Sequence, residues 1–541
     1  MPATSLRPLA ASLAILATAA CAPSSIPHDE VDEVGSDDKA FTSARASLVT
    51  FEFDGQLRAP QQSNLTKLIQ TQMVYTVGQL NAYHSVARLD RLVLTDVKRT
   101  NTADGWMTVT YRAKLEVGWG SEREIPETFD LTLPTKIGPK SLEGFMTKYG
   151  PTCSDDPAHV TAGNYWYHYR PQISGCAFDD GDAVRTTADV TVAAGNTSAK
   201  YPEYDRIWSD GTLRVVAVFG KYADFATSPS DAGIDAYDDF IEELRGGVAA
   251  GFATAPANVG DRPGVSAPDV TFTGKVGGRD VVVNVLLIDS PKLNNATFDA
   301  RYADLTKKAD LILYNGHAGL GANVKALSQK GTIEKGQYRI FFLNGCDTFA
   351  YLDDTFTSRV AAKNSDDPRG TKYADVLTNL MPAYFRSMPD ASLDLIDALA
   401  RPDAPKTYEA IFASVDASQV IVATGEEDNT FVPSAQTFSG IDAASVLGRD
   451  QAHRFETPVL QPGRYVIKTR ENGSKKGDVD LYVGLGYPPG LENYDHRPYL
   501  WGSNEDVTVE LKAPAAIHVM VHGYEDAPVA SNAYTLSLRK Q

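Results

Sequence analysis

The chain has 541 residues, 43% of them hydrophobic, so it is long enough to form several domains with ordinary cores. Its 51 Lys and Arg residues are outnumbered by 69 Asp and Glu residues, which gives a formal net charge of −18. Because phosphate binding needs clustered positive charge and no such run is present, this balance excludes nucleic acid as an expected partner.

The N-terminus has the pattern of an export signal. Residues 1–20 combine one arginine with an apolar stretch and then small residues, and the stretch is too short for a stable membrane span. The run from Leu16 to Cys21 resembles a bacterial lipoprotein signal, which implies that Cys21 is lipidated and begins the mature chain. Thr18 stands where that motif usually has an aliphatic residue, so ordinary cleavage nearby is the alternative. Residues 21–40 are acidic and are expected to form a solvated tether.

The export signal also predicts where the protein is located. No later apolar stretch reaches about 18 residues, so the lipid anchor is expected to be the only membrane contact. The predicted location is therefore the periplasm or the cell surface, with the protein held as an outer-membrane lipoprotein.

Residues 41–205 are predicted to form an α+β domain, because alternating strand patterns surround one helical pattern at 65–80. Cys153 and Cys176 lie 23 residues apart, a spacing suited to a disulfide-closed loop. The run 165–169 is aromatic. A packed core is expected there, and a binding face is the alternative.

Residues 206–440 alternate strand and helix patterns, which predicts an α/β domain with a mostly parallel, doubly wound sheet. Near-continuous apolar runs are typical of strands buried on both faces. Strands are expected at 213–219 and 281–288, in the runs from 311 and from 341, and at 419–423; helices are expected at 235–244, 298–308, 323–327, 373–380 and 392–399.

Two of these strands end at reactive side chains. The run from Leu311 ends in Asn-Gly and presents His317, and the run from Phe341 ends in Asn-Gly and presents Cys346. If the two runs are neighbouring parallel strands, both side chains emerge at the same carboxyl edge of the sheet. A thiol beside an imidazole is suited to acyl transfer, since the histidine lowers the thiol pKa and later protonates the leaving amine.

The loops around this pair offer further candidate groups. The backbone N–H groups of Ala318, Gly319 and Cys346 are candidates to stabilise a developing oxyanion. Asp347 and Thr348 are expected to cap a helix that starts just after the cysteine, and such a helix N-terminus would stabilise a thiolate.

Simpler interpretations of the same residues remain open. A histidine after a strand is commonly a loop residue bonded to the backbone, and a single cysteine is commonly a small core residue. The glycines at 316, 319 and 321 are also compatible with a phosphate-binding turn, although their order differs from the dinucleotide fingerprint.

At these residues the chain resembles the caspase-like clan of cysteine peptidases. Members of that clan share one apolar strand that leads to a His-Gly step and another that leads to a nucleophilic cysteine. Here the step is His317-Ala318, with glycine at 316 and 319 instead. The resemblance implies that His317 is the general base and acid, that Cys346 is the nucleophile, and that the substrate is a protein or peptide.

The same resemblance implies a specificity pocket beside the catalytic strands. Asp347, Glu426 and Asp428 are the candidate residues to select Arg or Lys there. This expectation assumes that the strand at 419–423 is parallel, so that its exit reaches the same edge. The alternatives are a helix cap for Asp347 and a solvated loop for the other two.

Residues 450–541 contain alternating strands separated by turns, which predicts an all-β sandwich. These strands resemble the bacterial pre-peptidase C-terminal domain, which implies company with a secreted peptidase. Asp478 and Asp480 are candidate calcium ligands, with an ion-free pair at a strand edge as the alternative. No other metal and no required cofactor are expected.

The sequence therefore predicts an exported, lipid-tethered cysteine endopeptidase with three parts: an N-terminal α+β domain, a central caspase-like α/β domain and a C-terminal β-sandwich. The alternative is a non-catalytic surface lipoprotein whose peptidase scaffold serves binding or adhesion.

Overall fold

The computed structural model describes residues 41–541 apart from positions 44, 62–63, 121–124, 417, 434–437, 474–476, 492, 499, 513 and 525–530. The predicted signal peptide at 1–20, the lipidation candidate Cys21 and the tether at 21–40 lie outside the described residues. Within the described ranges, no helix combines the length and the apolarity needed to cross a membrane.

An antiparallel sheet with four helices makes up the N-terminal segment. The short strand β1 (Phe41–Thr42) precedes this sheet in the chain and is not part of it. The strands of the sheet are β2 (Ser47–Pro60), β3 (Val86–Ala87), β4 (Val93–Asn101), β5 (Trp106–Trp119), β6 (Thr128–Pro134) and β7 (Ala183–Val192). Its helices are α1 (Leu65–Met73), α2 (Tyr75–Asn81), α3 (Pro139–Tyr149) and α4 (Tyr165–His168). Strands β2 to β7 pair in the order β3-β5-β2-β7-β6, and β4 also pairs with β5. The helical pattern predicted at 65–80 is confirmed as α1 and α2.

The predicted disulfide is present in this segment. Cys153 and Cys176 are bonded, with a distance of 4.9 Å between their Cα atoms. Beside it, the rings of Tyr165, Tyr169 and Phe145 pack with centroids about 6 Å apart, and the two tyrosines are fully buried. The packed core expected for much of the 165–169 run is confirmed.

A nine-stranded sheet forms the centre of the molecule. It contains β1 and eight more strands: β8 (Thr212–Gly220), β9 (Ala253–Ala255), β10 (Asp269–Val276), β11 (Arg279–Ile288), β12 (Leu311–Asn315), β13 (Arg339–Asn344), β14 (Ala374–Asn379) and β15 (Ile421–Thr424). The helices are α5 (Tyr204–Ile207), α6 (Ala232–Gly246), α7 (Ala296–Leu305), α8 (Ala322–Gln329), α9 (Thr355–Lys363), α10 (Met388–Leu399) and α11 (Tyr408–Ile411).

The strand order of this sheet is β1-β15-β14-β13-β12-β8-β11-β10-β9. Five neighbours, from β14 to β11, are parallel, and the remaining strands are antiparallel. When the five parallel strands are numbered along the chain, they lie across the sheet in the order 2-1-3-4-5. The connection from β8 to β11 and the next one, from β11 to β12, therefore run in opposite directions across the sheet. In such sheets a crevice opens at the carboxyl ends of the strands where the order reverses, here between β8 and β12.

Helices cover both faces of the parallel strands, as the apolar runs predict. On one face, residues such as Val215 and Leu313 pack against α6 and α10; on the other, residues such as Val216 and Phe341 pack against α7, α8 and α9. Alternate residues of each strand therefore enter two separate cores, which is the arrangement of a doubly wound sheet.

Two predictions for this sheet are wrong. The segment 373–380 is strand β14, not a helix, and all six residues of β14 are buried. A short apolar run buried on both faces lacks the period that separates a strand from a helix. The strand at 419–423 is confirmed as β15, but it runs antiparallel to β14.

Two antiparallel sheets form the C-terminal segment. Their strands are β16 (Ile441–Gly448), β17 (Ala452–Glu456), β18 (Gly463–Glu471), β19 (Val479–Leu485), β20 (Glu505–Leu511), β21 (Ile517–Gly523) and β22 (Ser531–Lys540). One sheet has the order β16-β22-β18-β20 and the other β17-β21-β19, and their apolar faces enclose one core. The predicted all-β region is confirmed.

Candidate active site

The exits of β12 and β13 carry the candidate dyad. The two strands are parallel neighbours, and Asn315 lies opposite Asn344. His317 and Cys346 each follow two residues later, so they leave the same carboxyl edge, beside the crevice at β8. The predicted parallel pairing is confirmed, and each of the two side chains is half-buried.

A ladder of buried asparagines fixes the height of these exits. The Asn344 amide donates to Asn315 Oδ1 at 2.8 Å, and the Asn379 amide at the end of β14 donates to Asn344 Oδ1 at 2.6 Å. The Ser392 hydroxyl of α10 also donates to Asn315 Oδ1, at 2.9 Å. Because the three amides are fully buried, breaking this ladder would leave polar groups without water or a partner. The ladder therefore holds three strand ends in register beneath the site.

The two exit loops touch directly. A Cβ atom at Gly345 would lie 2.6 Å from the carbonyl oxygen of Gly316 and 3.3 Å from the amide of Ala318. No real Cβ tolerates the shorter distance, so glycine is required for this approach. His317 and Cys346, which directly follow Gly316 and Gly345, therefore lie on two loops that are in contact.

The loop after β14 links the two candidate side chains. The Cys346 thiol donates to the carbonyl of Ala383 at 3.5 Å, and the ring of Phe385 lies 5.0 Å from the imidazole of His317. Ala383 and Phe385 are only two residues apart along the chain. The sulfur and the imidazole therefore contact neighbouring positions of one short loop.

The histidine is held on several sides. Its carbonyl accepts hydrogen bonds from the Tyr314 hydroxyl and the Asn323 amide, both at 2.8 Å. Burial lowers the pKa of His317, and a hydrogen bond to the backbone of Tyr222 opposes that change. The imidazole is therefore largely neutral at pH 7, which is the form a general base requires.

The cysteine differs from the prediction. Burial raises the pKa of the Cys346 thiol to about 11, and the neighbouring Asp347 adds to the rise. The prediction that the histidine lowers this pKa is wrong for the state described, in which both groups are uncharged near neutral pH. Hydrogen bonding from Tyr167 acts in the opposite direction, toward the thiolate.

The loop backbone keeps free donors beside the dyad. Among the described residues, the amides of Ala318 and Gly319 donate to no other protein group, and the Cys346 amide points toward its own sulfur. Gly319 has a φ of 62°, a conformation that glycine adopts without strain. These N–H groups remain candidates to stabilise an oxyanion.

Asp347 lies elsewhere than predicted. It is fully buried, its φ is 50°, and its Oδ1 accepts a hydrogen bond from Asn81 of the N-terminal segment at 2.8 Å. Its side chain caps no helix, because Thr348–Tyr351 is a short 3-10 turn and α9 begins only at Thr355. The prediction that Asp347 caps a helix and the prediction that it contacts a substrate Arg or Lys are therefore both wrong.

Glu426 and Asp428 lie at the opposite edge of the sheet, because β15 runs antiparallel. Glu426 is fully buried and accepts hydrogen bonds from Thr42 and Thr197, both at 2.6 Å. Asp428 pairs with Arg369 at 2.8 Å. The expectation that these acids share an edge with the dyad is wrong.

The buried Glu426 makes stability depend on pH. Burial raises its pKa to about 8, so the folded state keeps its proton at pH 5 to 7, whereas the unfolded chain ionises near 4.5. This contribution to the free energy of unfolding is complete below about pH 4.5 and falls as the pH rises to about 8. We expect Glu426→Gln, which mimics the protonated acid, to raise the Tm more at pH 8 than at pH 5. Thermal unfolding at both pH values measures this, with Asp428→Asn as the control. Equal shifts at the two pH values would contradict it.

Tyr167 of the N-terminal segment reaches the dyad, which the sequence did not predict. Its pKa is raised well above 10, mainly by burial and also by electrostatic interaction with Asp347 and with Cys346. Arg170 holds this part of the chain by donating to the Tyr167 carbonyl at 2.9 Å. The aromatic run is thus partly core and partly a cover over the cysteine loop.

The cover is continuous with the core of the N-terminal segment. Phe349 and Leu380, from the loops after β13 and β14, belong to the same apolar cluster as β2 and β5. The guanidinium of Arg88 lies 5.1 Å from the centre of the Phe349 ring, and Trp166 meets Tyr351 edge-on at 6.4 Å. The N-terminal segment therefore buttresses the loop that carries Cys346.

The two candidate calcium ligands have protein partners. Asp480 pairs with Arg497 at 2.9 Å, and Asp478 accepts the amide of Gly502 at 3.0 Å. Among the residues that the structure describes, no group of three or more His, Cys, Asp or Glu side chains is arranged to hold a metal ion. A calcium site at this pair stays a prediction.

Comparison with known proteins gives partial similarities. No family model matches the chain. It is 30% identical over 102 residues to alkaline serine exoprotease A of Vibrio alginolyticus, 19% of each chain, and 42% identical over 50 residues to the neutral protease of Vibrio proteolyticus, 9% of this chain and 8% of that one. The chain thus spans less than a fifth of these curated relatives.

Two solved structures give likenesses of similar extent. One is the pre-peptidase C-terminal domain of collagenase from Bacillus anthracis (14% identity, 19% of this chain, 88% of that chain, TM-score 0.15). The other is PliG of Aeromonas hydrophila, a periplasmic inhibitor of g-type lysozyme (14% identity, 20% of this chain, 95% of that chain, TM-score 0.16). The partial protease matches relate this chain to proteases over a small part of its length.

Proposed function

We propose that the central segment is a cysteine peptidase of the caspase-like kind, in which His317 and Cys346 form the dyad. The observation that carries the proposal is the parallel pairing of β12 with β13. It places a half-buried imidazole and a half-buried thiol on two touching loops at one sheet edge. The edge lies at the reversal of strand order, where α/β sheets place their ligands.

The geometry supports acyl transfer from a peptide. The Cys346 sulfur attacks the scissile carbonyl carbon and forms the S–C bond while His317 takes the thiol proton. The oxyanion that develops accepts N–H donors from the loop backbone at Ala318, Gly319 and Cys346. His317 then gives its proton to the leaving amine as the C–N bond breaks. Water, activated by the same histidine, hydrolyses the thioester and restores the thiol.

The state described is a resting state in this proposal. The thiol is protonated and donates to Ala383, and Tyr167 lies against it. Displacing the Ala383 carbonyl by a substrate would free the thiol for transfer of its proton to His317. Export to the periplasm or cell surface, through the signal at 1–20 and a lipid on Cys21, belongs to the same proposal.

The second candidate is a non-catalytic surface protein with the same scaffold. The raised pKa of Cys346 favours it, because a thiol with a pKa of about 11 is a poor nucleophile near neutral pH. In that case the contact between the two exit loops would serve binding to a protein partner.

Alkylation separates the two candidates. Cys346 is the free thiol among the described residues, since Cys153 and Cys176 are bonded to each other. We expect the protein to cleave members of a peptide library, and we expect excess iodoacetamide at pH 9 to abolish cleavage as the label accumulates on Cys346. Mass spectrometry locates the label, and product analysis measures cleavage. Cleavage that survives complete labelling of Cys346 would contradict a catalytic role for the dyad. If the unlabelled protein cleaved no peptide, the non-catalytic surface protein would be favoured.

A further inference from the structure

Two aromatic rings, those of Tyr222 and Phe385, lie against the imidazole of His317, and each belongs to a loop that carries a second aromatic residue. Tyr222 and Phe225 belong to the loop after β8, and Tyr384 and Phe385 belong to the loop after β14. The Tyr222 ring lies 4.8 Å from the imidazole and 5.7 Å from the Phe385 ring, and Phe385 lies 5.0 Å from the imidazole. Both loops leave the sheet at the carboxyl edge, which is the edge that carries the dyad.

Three of these rings face solvent. Tyr222 is 58% exposed, Phe225 is 75% exposed and Tyr384 is 52% exposed. Tyr384 directly follows Ala383, whose carbonyl accepts the Cys346 thiol. Large rings exposed together beside a reactive pair mark a binding surface more often than rings scattered singly.

The backbone holds Phe225 outward at a cost. Its φ is 65°, a region that residues with a bulky side chain rarely adopt, and its amide donates to Asp289 at 2.8 Å. Asp231 accepts the amides of Tyr222 and Ala223, both at 2.9 Å, while also capping α6. Strain of this kind persists where the surrounding structure fixes it, which is common at functional sites.

The acids of the loop after β8 and of the neighbouring loop after β11 are already engaged. Asp289 pairs with Lys221 at 3.0 Å, Asp224 accepts the amide of Ser290 at 2.7 Å, and Asp231 accepts amides of its own loop. Asp347 is buried under the N-terminal segment. The surface next to the dyad therefore offers aromatic rings, and its acids bind protein groups.

We propose that Tyr222, Phe225 and Tyr384 determine specificity by binding an apolar, preferably aromatic, side chain of a peptide next to the scissile bond. This inference rests on the proposed peptidase function, and it replaces the basic side chain that the sequence predicted. The occupant is a peptide segment because the two loops that carry these rings also contact the dyad: Tyr222 and Phe385 lie against the imidazole, and Ala383, next to Tyr384, accepts the Cys346 thiol. Ring stacking and apolar contact with these three exposed rings supply the preference.

Binding to an inactive protein tests the preference independently of catalysis. The protein is the full chain with Cys346→Ala, and the probes are dye-labelled pentapeptides of alanine with Phe, Arg or Asp at the central position. We expect the Phe peptide to bind about 10-fold more tightly than the other two by fluorescence anisotropy. Phe225→Ala combined with Tyr384→Ala should reduce its affinity to that of the Arg peptide. Trp501→Ala, which removes an 89% exposed ring of the C-terminal segment, is the matched control and should change nothing.

The outcomes separate the two proposals. Tighter binding of the Arg or Asp peptide, or unchanged binding of the Phe peptide in the double variant, would overturn the aromatic specificity. Those results would leave cleavage by the wild-type protein untouched. Failure of the wild-type protein to cleave the Phe peptide, with its binding preference intact, would overturn the peptidase function alone. Both rings are exposed, so thermal unfolding should show that the double variant folds.

Discussion

Cys346→Ala is expected to lower peptide cleavage by about 10³-fold or more. The reason is that the proposed reaction passes through a thioester, which forms only on the sulfur of this residue. His317→Ala is expected to lose about 10²-fold to 10⁴-fold, the usual contribution of a positioned general base. The measurement is the initial rate of cleavage of one peptide by each purified variant.

The double variant gives the sharper part of this prediction. Residues that act as a unit in one step lose activity together, so Cys346→Ala with His317→Ala should be no slower than Cys346→Ala alone. His159→Ala is the matched control, because that histidine lies on the surface of the N-terminal segment and pairs only locally with Asp156. A Cys346→Ala protein that still cleaved peptides at the wild-type rate would end the assignment of the dyad.

Gly345→Ala is expected to impair both stability and activity. The added methyl group would lie 2.6 Å from the Gly316 carbonyl, so the exits of β12 and β13 must separate. Overpacking of this kind costs about 1 to 3 kcal/mol in the free energy of unfolding. A shift of about 1 Å between reacting groups can cost about 10²-fold in rate. Urea unfolding and peptide cleavage measure the two effects.

A second glycine provides the opposite expectation. Gly144 lies within α3, and a Cβ atom there would meet no atom within 4 Å. Gly144→Ala should therefore stabilise the protein by about 0.5 to 1 kcal/mol and leave cleavage unchanged. If Gly345→Ala behaved like Gly144→Ala in both measurements, the contact between the two exit loops would not position the dyad.

The N-terminal segment contributes contacts to the surroundings of the candidate site. Asn81 binds Asp347, Tyr167 lies against Cys346, and Leu380 belongs to the apolar core of that segment. A change in the N-terminal segment that moves Tyr167 would therefore alter the environment of the thiol directly. From the sequence, residues 41–205 are predicted only as an α+β domain. In the structure, this segment forms one wall of the candidate site.

Much of the architecture follows from the sequence. The apolar runs that contain β8, β11, β12 and β13 lie where the pattern predicts, because a strand buried on both faces must be apolar throughout. The prediction for the short run of β14 was wrong because burial on both faces removes the period that distinguishes a strand from a helix. The Asn-Gly ends of β12 and β13 also indicate where the chain leaves the sheet.

The sequence by itself determined which reactive side chains follow the two strand exits, His317 and Cys346, because strand ends and reactive side chains are local features. Only the tertiary structure decided what surrounds them. The direction of β15 depends on a connection of more than 40 residues, and it moved Glu426 to the far edge. The burial of Asp347 depends on a contact with Asn81, 266 residues earlier in the chain. Strand direction, burial and pKa arise from such long-range contacts, and no local pattern encodes them.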